Sequence, residues 1–152
     1  MNIAYWESPL GMIKICENNN AITHLHFSNI SSSAHNSQSP LLKLTIKQLE
    51  EYFNGKRKIF DIPINPLGTS FQLRVWQELQ KIHYGETKNY QEIAINIGNP
   101  QACRAVGTAN NKNPIAIIIP CHRVIGKNGS LTGYASGLET KEKLLNLEKS
   151  YC

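Results

Sequence analysis

Short apolar stretches separated by turn-forming residues open the chain. They span residues 3–6, 12–16 and 21–27, with Pro9-Leu10-Gly11 and Asn18-Asn19-Asn20 between them. Stretches of this length at this spacing are typical of strands joined by tight turns. The pattern therefore predicts an antiparallel meander of three strands.

A helix is predicted after these strands. Residues 28–40 are rich in Ser and Asn, which favours a surface loop. From residue 41 to residue 53, apolar positions recur at helical spacing until Asn54-Gly55 ends the pattern. Two prolines and a glycine in residues 61–68 favour a linker. We place a domain boundary there, between a strand-rich first domain, residues 1–67, and a second domain, residues 68–152.

The second domain has mainly helical patterning. Its first helix is predicted to begin at Ser70, as the N-cap, and to end near Gly85, and its last helix is predicted over residues 138–149. Between them, an apolar run over residues 115–119 predicts a buried strand. The predicted fold class is α/β in the α+β sense, with a small sheet-plus-helix domain followed by a mainly helical one.

Two short helices in this domain are predicted to form a helix-turn-helix. Asn89 would cap a helix over residues 90–97, which Gly98 would end. Asn99 would cap the next helix, with Pro100 at its first position. The predicted gap between them is short enough for a DNA-binding motif. Small residues dominate the second helix, a pattern that suits close helix packing as well as DNA contact.

Positive charge is concentrated in one interval of the chain. The net charge is +5, and no acidic residue lies between Glu92 and Glu139. The basic residues of this interval are Arg104, Lys112, Arg123 and Lys127. Such a stretch attracts a polyanion, although cations at this density are also compatible with an ordinary solvated surface.

Composition excludes several classes of protein. The chain has 152 residues, of which 41% are hydrophobic and 18% charged, as expected of a globular protein rather than a disordered one. Its longest apolar run is far shorter than a membrane-spanning helix requires, and its first residues do not resemble a secretory signal. The four cysteines lack paired spacing. We therefore expect free thiols and a cytoplasmic protein.

One cysteine is a candidate nucleophile because of its neighbours. Cys121 follows the apolar run and Pro120, and it precedes His122 and Arg123. A cysteine reacts as its thiolate, which a nearby histidine or cation promotes. A buried structural cysteine remains the commoner outcome for a lone thiol, so these residues alone leave both interpretations open.

A longer pattern around Cys121 resembles a known family. Residues Ile119-Pro120-Cys121-His122-Arg123-Val124-Ile125-Gly126 resemble the active-site signature of the methylated-DNA–protein-cysteine methyltransferases. The resemblance continues, with matching spacing, through residues 85–94, 104–107, 113–114 and 133–138. It extends over residues 68–149, whereas residues 1–67 share only the strand-rich character of the family's smaller domain.

The resemblance implies a DNA repair reaction that each molecule performs once. Cys121 would take the alkyl group from the 6-oxygen of guanine in duplex DNA, and less readily from 4-O-alkylthymine. The product is a thioether, which does not hydrolyse readily, so transfer would be stoichiometric and irreversible. No cofactor and no metal are implied. The expected partner is double-stranded DNA containing an alkylated guanine, bound by a monomer that needs no membrane and no obligate protein partner.

The resemblance also implies roles for residues around the thiol. His122 would take the thiol proton through a water, while Glu148 would orient its imidazole. Tyr90 would donate a proton to the departing guanine. The implied substrate pocket comprises Asn113, Pro120, Val124, Tyr134, Ala135 and Ser136.

DNA binding is implied for the second helix of the helix-turn-helix, in the minor groove. A guanine must leave the base stack to react, and Arg104 resembles the family's arginine that fills the vacated space. Binding would then depend on phosphate contacts more than on base readout. The residues expected to contact DNA are Arg104, Ala102, Ala105, Thr108 and Arg123.

Two features limit what is carried over from the family. Ser136 stands where the family commonly has a glycine, so a narrower or more polar pocket would disfavour bulky adducts. Some members hold zinc in the smaller domain, but Cys16, His24 and His26 lack a fourth ligand, and we expect no zinc site.

Three alternative functions stay open. An alkyltransferase-like protein that binds the lesion without accepting the group would not need Cys121. A helix-turn-helix regulator would need an effector site or a dimer interface. A cysteine hydrolase would use Cys121 and His122, but the sequence has no separate oxyanion-hole signature.

Overall fold

A computed structural model describes residues 1–29 and 36–152 of the chain. The middle of the loop predicted over residues 28–40 therefore lies outside the described residues. The chain divides into two compact units, Met1–Pro66 and Leu67–Cys152. Within the described part of the chain, no helix is both long and apolar enough to cross a membrane.

The first unit contains the predicted antiparallel meander. Its strands are β1 (Asn2–Ser8), β2 (Gly11–Asn18) and β3 (Ala21–Phe27), hydrogen-bonded in the order β1-β2-β3. Asn19 and Asn20 both adopt positive φ angles, 51° and 61°, in the turn between β2 and β3. Asparagine tolerates this conformation better than most residues, which explains the choice of turn. The predicted strands are confirmed, with β1 and β2 longer at both ends.

Helix α1 (Pro40–Phe53) forms the core of this unit with the sheet. The Ser39 side chain accepts a hydrogen bond from the Leu42 amide and caps the helix, and Pro40 occupies the first turn, where its missing amide hydrogen costs nothing. One face of α1, including Leu42, Leu49 and Tyr52, is completely buried. The helix predicted from the apolar spacing is therefore confirmed.

Residues 61–66 do not form a free linker. Ile64 makes a parallel bridge with Ile22 of β3. The Ile22 amide donates to the Pro63 carbonyl at 2.9 Å, and the Asn65 amide donates to the Ile22 carbonyl at 2.8 Å. Proline and glycine content predicted an irregular segment, but the unpaired edge of β3 offers hydrogen-bond partners that hold part of it.

The second unit begins with a helix whose bounds differ from those predicted. Helix α2 (Ser70–Leu79) is capped by Thr69 rather than by Ser70. Thr69 Oγ1 accepts from the Gln72 amide at 3.1 Å, and Gln72 Oε1 accepts from the Thr69 amide at 2.9 Å. This reciprocal capping box fixes the start one residue earlier. The helix ends six residues before Gly85, and Ile82 packs into the core from the turns that follow.

The two central helices are present, but the second begins later than predicted. Helix α3 (Tyr90–Asn96) is capped by Asn89, as predicted, and Gly98 follows it with a φ of 83°. Helix α4 (Cys103–Asn111) does not begin at Pro100. The Ala102 amide donates to the Asn99 carbonyl at 3.0 Å and closes a separate turn ahead of the helix. The connection therefore spans residues 97–102.

The apolar run over residues 115–119 is buried except for the half-buried Ile118, but it is not a strand. Ile118 and Ile119 donate their amides to the carbonyls of Ala116 and Ile115, which makes a series of tight turns. Ile117 has a φ of 71°, a conformation that a β-branched residue adopts only when its surroundings impose it. The predicted strand is wrong because apolar composition reports burial, not backbone conformation.

Short elements complete the second unit. Strand β4 (Lys88–Asn89) pairs in parallel with β5 (Val124–Ile125). Helix α5 (Leu138–Ser150) follows Gly137 and confirms the predicted last helix. Helices α2 and α4 pack together, and Trp76 Nε1 donates to the Ala109 carbonyl at 2.9 Å. The mixed α/β fold class is confirmed by these two units.

Candidate active site

Cys121 is the first residue of a tight helical turn, Cys121–Arg123, that begins after Pro120. Asn113 braces the preceding turns, because its Nδ2 donates to the Ile119 carbonyl at 2.8 Å and its Oδ1 accepts from the Ile115 amide at 2.9 Å. Asn110 Nδ2 donates to the Cys121 carbonyl at 3.3 Å. The backbone on both sides of the thiol is thus held by two amide side chains.

The Cys121 thiol is buried, with 5% of the residue exposed. Burial raises its pKa to about 11, although a hydrogen bond with Asn113 and the positive charge of Lys141 oppose this rise. The resting group near neutral pH is therefore the thiol rather than the thiolate. A reaction at sulfur needs a base close by.

His122 and Glu148 meet in the interior of the unit. His122 Nε2 lies 2.6 Å from Glu148 Oε2, and both side chains are essentially inaccessible to solvent. The other ring nitrogen, His122 Nδ1, is buried without a hydrogen-bond partner among residues 1–29 and 36–152. One nitrogen of the imidazole is thus held by a carboxylate, and the other is available for proton transfer.

Arg123 belongs to this buried cluster and not to the DNA-facing surface predicted for it. Its Nε and Nη2 donate to the two oxygens of Glu148 at 2.9 and 3.0 Å, and its Nη1 donates to the Ile82 carbonyl at 2.7 Å. Only 6% of Arg123 is exposed. The expected DNA contact is wrong because the bidentate pair takes the guanidinium into the core.

The surroundings of Glu148 and His122 lower the pKa of both groups. Burial alone would raise the pKa of Glu148, but hydrogen bonds and charge from His122 and Arg123 outweigh burial and hold that pKa well below its usual range. Burial lowers the pKa of His122 more than Glu148 raises it, with Arg123 and Lys141 also lowering it. The imidazole is therefore neutral near pH 7 and able to accept a proton.

Lys141 is a buried cation that the sequence reasoning missed. Its Nζ donates to the Val124 carbonyl at 2.5 Å and to the Thr132 carbonyl at 2.6 Å. Burial lowers its pKa to about 8, while the negative charge that Cys121 can carry raises it. Lys141, Leu144 and Glu148 share the buried face of α5, so helical spacing combined with the active-site assignment of Glu148 was the available signal.

A groove of about 640 Å³ lies beside α4. It is lined in part by Tyr90, Arg104, Thr108, Lys127 and Thr132, and its lining does not include Cys121. The structure therefore brings Tyr90 and Arg104 to one groove, and Cys121, His122 and Glu148 to the adjoining core.

The residues predicted to contact DNA, Arg123 apart, lie along α4. Arg104, Ala105 and Thr108 are exposed, and Ala102 at the N-cap is half-buried. The opposite face of the helix, with Val106, Ala109 and Asn110, is buried. Helix α4 thus presents a face of small residues and one arginine to solvent.

The predicted pocket residues differ in their exposure. Pro120 and Val124 are buried, Ser136 is half-buried and Ala135 is exposed. The Tyr134 hydroxyl is buried and has no hydrogen-bond partner within the described chain. Burial raises the Tyr134 pKa well above its ordinary value, so the phenol stays protonated.

No metal centre is evident in the described residues. Among them, no group of three or more His, Cys, Asp or Glu side chains is placed to hold a metal ion. All four cysteines are free thiols, and Cys16 is buried in β2.

Comparison with families of known proteins finds matches over both units. Residues 70–150 match the family model "6-O-methylguanine DNA methyltransferase, DNA binding domain". Residues 1–66 match the model "6-O-methylguanine DNA methyltransferase, ribonuclease-like domain". The two matches together span most of the chain.

Several individual proteins are similar over nearly their whole length. A methylated-DNA–protein-cysteine methyltransferase of Methanosarcina acetivorans is 50% identical, with 99% of each chain covered. A constitutive one of Bacillus subtilis is 46% identical, over 94% of this chain and 92% of the relative. The crystal structure of Mycobacterium tuberculosis OGT in complex with DNA matches with a TM-score of 0.91 and 44% identity, covering 100% of this chain and 95% of that one.

Proposed function

The chain belongs to the 6-O-methylguanine DNA methyltransferase family, and from this premise we propose the residues through which it transfers a methyl group from DNA to its own Cys121. The protein is accordingly a methylated-DNA–protein-cysteine S-methyltransferase by activity. The observation that carries the residue assignment is the 2.6 Å contact between His122 Nε2 and Glu148 Oε2, directly behind the turn that bears Cys121.

His122 activates the thiol in this proposal. Glu148 accepts the Nε2 hydrogen, which leaves the Nδ1 lone pair to take the Cys121 proton through a water. The imidazolium that forms is stabilised by Glu148, whose charge is shared with Arg123. This support matters because an isolated imidazolium would be costly in so buried a position.

The transfer step is a displacement at the methyl carbon. The Cys121 sulfur forms a bond to carbon while the bond from carbon to the 6-oxygen of guanine breaks. Guanine departs with the bonding electrons, and Tyr90 gives its phenolic proton to the ring, which neutralises the leaving group. The product thioether contains no group that water removes, so each molecule reacts once.

DNA binding is assigned to the exposed face of α4. The guanine must leave the duplex to approach a buried thiol, which costs a few kcal/mol of stacking and pairing. Arg104 projects from α4 beside the groove and occupies the space that the base vacates. Ala102, Ala105 and Thr108 allow the helix backbone to approach the minor groove closely. Such binding has low sequence preference and falls steeply with added salt.

The substrate pocket is assigned to the residues around the thiol and the loop before α5. Asn113 and Pro120 shape the turn that bears the thiol, and Val124, Tyr134, Ala135 and Ser136 form the walls of the pocket. The half-buried Ser136 takes up more of this space than a glycine would. We therefore expect a methyl group to be transferred faster than a benzyl-type adduct.

We assign the protein to the cytoplasm. The free Cys121 thiol must stay reduced to function, and a reducing compartment keeps it so. The assignment is tested by fractionating cells that express the chain and probing each fraction with an antibody. Recovery mainly in a membrane or secreted fraction would overturn it.

Intact-protein mass spectrometry tests the transfer. The protein is mixed with a duplex carrying one 6-O-methylguanine, and we expect a gain of one methylene, limited to one per chain. The Cys121→Ser variant should gain nothing, whereas Cys152→Ser should gain as much as the natural chain, although Cys152 is the more exposed thiol. If the natural chain binds this duplex selectively and its mass stays unchanged, the lesion-binding alternative is correct.

A further inference from the structure

Tyr90 and Thr132 make two hydrogen bonds with each other across the groove. The Tyr90 hydroxyl donates to the Thr132 carbonyl at 3.2 Å, and the Thr132 hydroxyl donates to the Tyr90 oxygen at 3.0 Å. Both residues line the groove. The phenolic oxygen of Tyr90 is therefore both a donor and an acceptor toward the same residue.

A hydrogen bond from the buried Lys141 helps to fix the position of Thr132. Its carbonyl also accepts from Lys141 Nζ at 2.6 Å, and the same ammonium holds the Val124 carbonyl, just after the Cys121 turn. The next residue, Gly133, has a φ of 43° and lies so close to Asn111 of α4 that an added Cβ would approach that side chain to 3.0 Å. Thr132 is thus tied to the thiol's turn on one side and packed near α4 on the other.

We propose that Thr132 is a positioning residue that acts through Tyr90 in the transfer reaction. This inference rests on the proposed function, in which Tyr90 protonates the departing guanine. The Thr132 hydroxyl holds the phenol in the groove and keeps donating its hydrogen bond when the Tyr90 oxygen becomes negative.

The proton and electron balance of this step is simple. The O–H bond of Tyr90 breaks, its proton passes to a guanine ring nitrogen, and the electron pair stays on the phenolate oxygen. That oxygen accepts the Thr132 hydrogen bond throughout, and a hydrogen bond to a charged oxygen is stronger than one to a neutral oxygen. Thr132 therefore stabilises the product side of the proton transfer more than the reactant side, which lowers the barrier.

The hydrogen bond from the Tyr90 hydroxyl to the Thr132 carbonyl does not prevent the proton transfer to guanine. At rest the Tyr90 proton points to the Thr132 carbonyl, and rotation of the phenol O–H bond turns it toward an arriving base. The bond given up is the longer of the two, at 3.2 Å. The Lys141 ammonium on the same carbonyl offsets the repulsion between that carbonyl and the phenolate.

The test separates the chemical step from DNA binding. Thr132→Val removes the hydroxyl, keeps the branched shape and the carbonyl, and alters a side chain that is exposed. Thr132→Ser is the matched control, because it keeps the hydroxyl. For each variant, the single-turnover rate of methyl transfer at saturating protein and the Kd for the lesion duplex are measured separately.

We expect Thr132→Val to slow methyl transfer about ten-fold, which is the factor in rate that the loss of one hydrogen bond to a developing charge produces. The Kd for the lesion duplex should be unchanged. Thr132→Ser should retain most of the natural rate. In a Tyr90→Phe background, Thr132→Val should have no further effect, because the partner oxygen is already gone.

Three results would overturn the inference. They are a Thr132→Val rate equal to or above the natural rate, an equal slowing in the Tyr90→Phe background, and a slowing matched by Thr132→Ser. A natural chain that transfers no methyl group would instead refute the proposed function. The two failures are therefore distinguishable within one set of measurements.

Discussion

The interiors of the two units contain different kinds of polar group. Among the described residues of the unit Met1–Pro66, the buried polar ones are Ser8, Glu17, Thr23, Thr45 and Gln48. In the unit Leu67–Cys152 they are Asn110, His122, Arg123, Lys141 and Glu148, which include four ionisable side chains close to Cys121. Among these residues of the first unit only Glu17 is ionisable, whereas the second unit combines its apolar core with a cluster of four ionisable side chains.

The buried polar residues of the first unit organise its structure, whereas those of the second unit belong to the proposed reaction. Gln48 holds the Asp61 backbone, and Glu17 accepts from the Ser39 hydroxyl beside the cap of α1, so both organise local structure. Arg123 and Glu148 carry charges whose removal from water is expensive, and replacing such a pair with apolar residues often leaves stability unchanged. The proposed reaction, rather than stability, would account for their presence close to Cys121.

Substitution of Glu148 is expected to have the largest effect, both on stability and on methyl transfer. Glu148→Gln removes the carboxylate and leaves the Arg123 guanidinium buried without its partner, which should lower the free energy of unfolding by about 3–5 kcal/mol. Methyl transfer should also be lost, because His122 is no longer oriented. Urea unfolding and the mass assay measure the two effects. Glu142→Gln, at an exposed position of the same helix, is the control and should change neither.

Acid should unfold the second unit before the first. The folded pKa values of His122 and Glu148 lie below their ordinary values of 6.5 and 4.5, so the unfolded chain binds more protons. The stability that each contributes is complete above those ordinary values. It is lost as pH falls below 6.5 for His122 and then below 4.5 for Glu148, at about 1.4 kcal/mol per pH unit and proton.

Peptide-resolved hydrogen exchange between pH 7 and pH 4 checks this order. Among its described residues, the first unit has one comparable group, His26, whose pKa is lowered chiefly by partial burial and also by Lys14 and His24, and this side chain stays in contact with solvent. Protection of α5 should therefore fall more steeply than protection of α1. Equal loss in both helices would show that the buried cluster does not control the acid response.

A smaller effect is expected on the exposed face of α4, to which we assign DNA binding. Arg104→Ala should weaken selective binding of the lesion duplex by about 1–3 kcal/mol and leave the unfolding free energy unchanged. The matched control is Lys43→Ala, an exposed cation of the first unit, which should alter neither quantity. Titration of labelled duplex and a urea melt measure both. A loss of stability in Arg104→Ala would show that this exposed residue also supports the fold.

The smallest effect on stability is expected when the buried glutamate of the first unit, Glu17, is changed to glutamine as Glu148 was. Glu17→Gln keeps a side-chain oxygen that can accept the hydrogen bond from the Ser39 hydroxyl. The free energy of unfolding should therefore change by about 1 kcal/mol or less. The transfer rate per folded molecule should equal that of the natural chain. If this variant lost as much stability as Glu148→Gln, the contrast between the two interiors would not hold.

Local patterns in the sequence predicted most of the secondary structure. The three strands, α1, α3 and α5 follow from apolar spacing and capping residues such as Asn89, which act within a few neighbouring positions. The start of α2 was misplaced because Thr69 and Ser70 could both cap it, and the start of α4 was misplaced because Asn99 begins a separate turn ahead of the helix. The run over residues 115–119 was misassigned because burial does not distinguish a strand from packed turns.

Amino-acid sequence by itself determined the family, the order of the first three strands and the five helices, and the neighbours of Cys121, because these depend on the identity and spacing of residues along the chain. Only the tertiary structure decided which charges are buried. The sequence predicted that Arg123 contacts DNA, and it assigned no position to Lys141. In the structure Glu148 holds Arg123 in the core, and the Val124 and Thr132 carbonyls hold Lys141 in the interior. The environment of an ionisable group comes from residues distant in sequence, so local pattern cannot specify it.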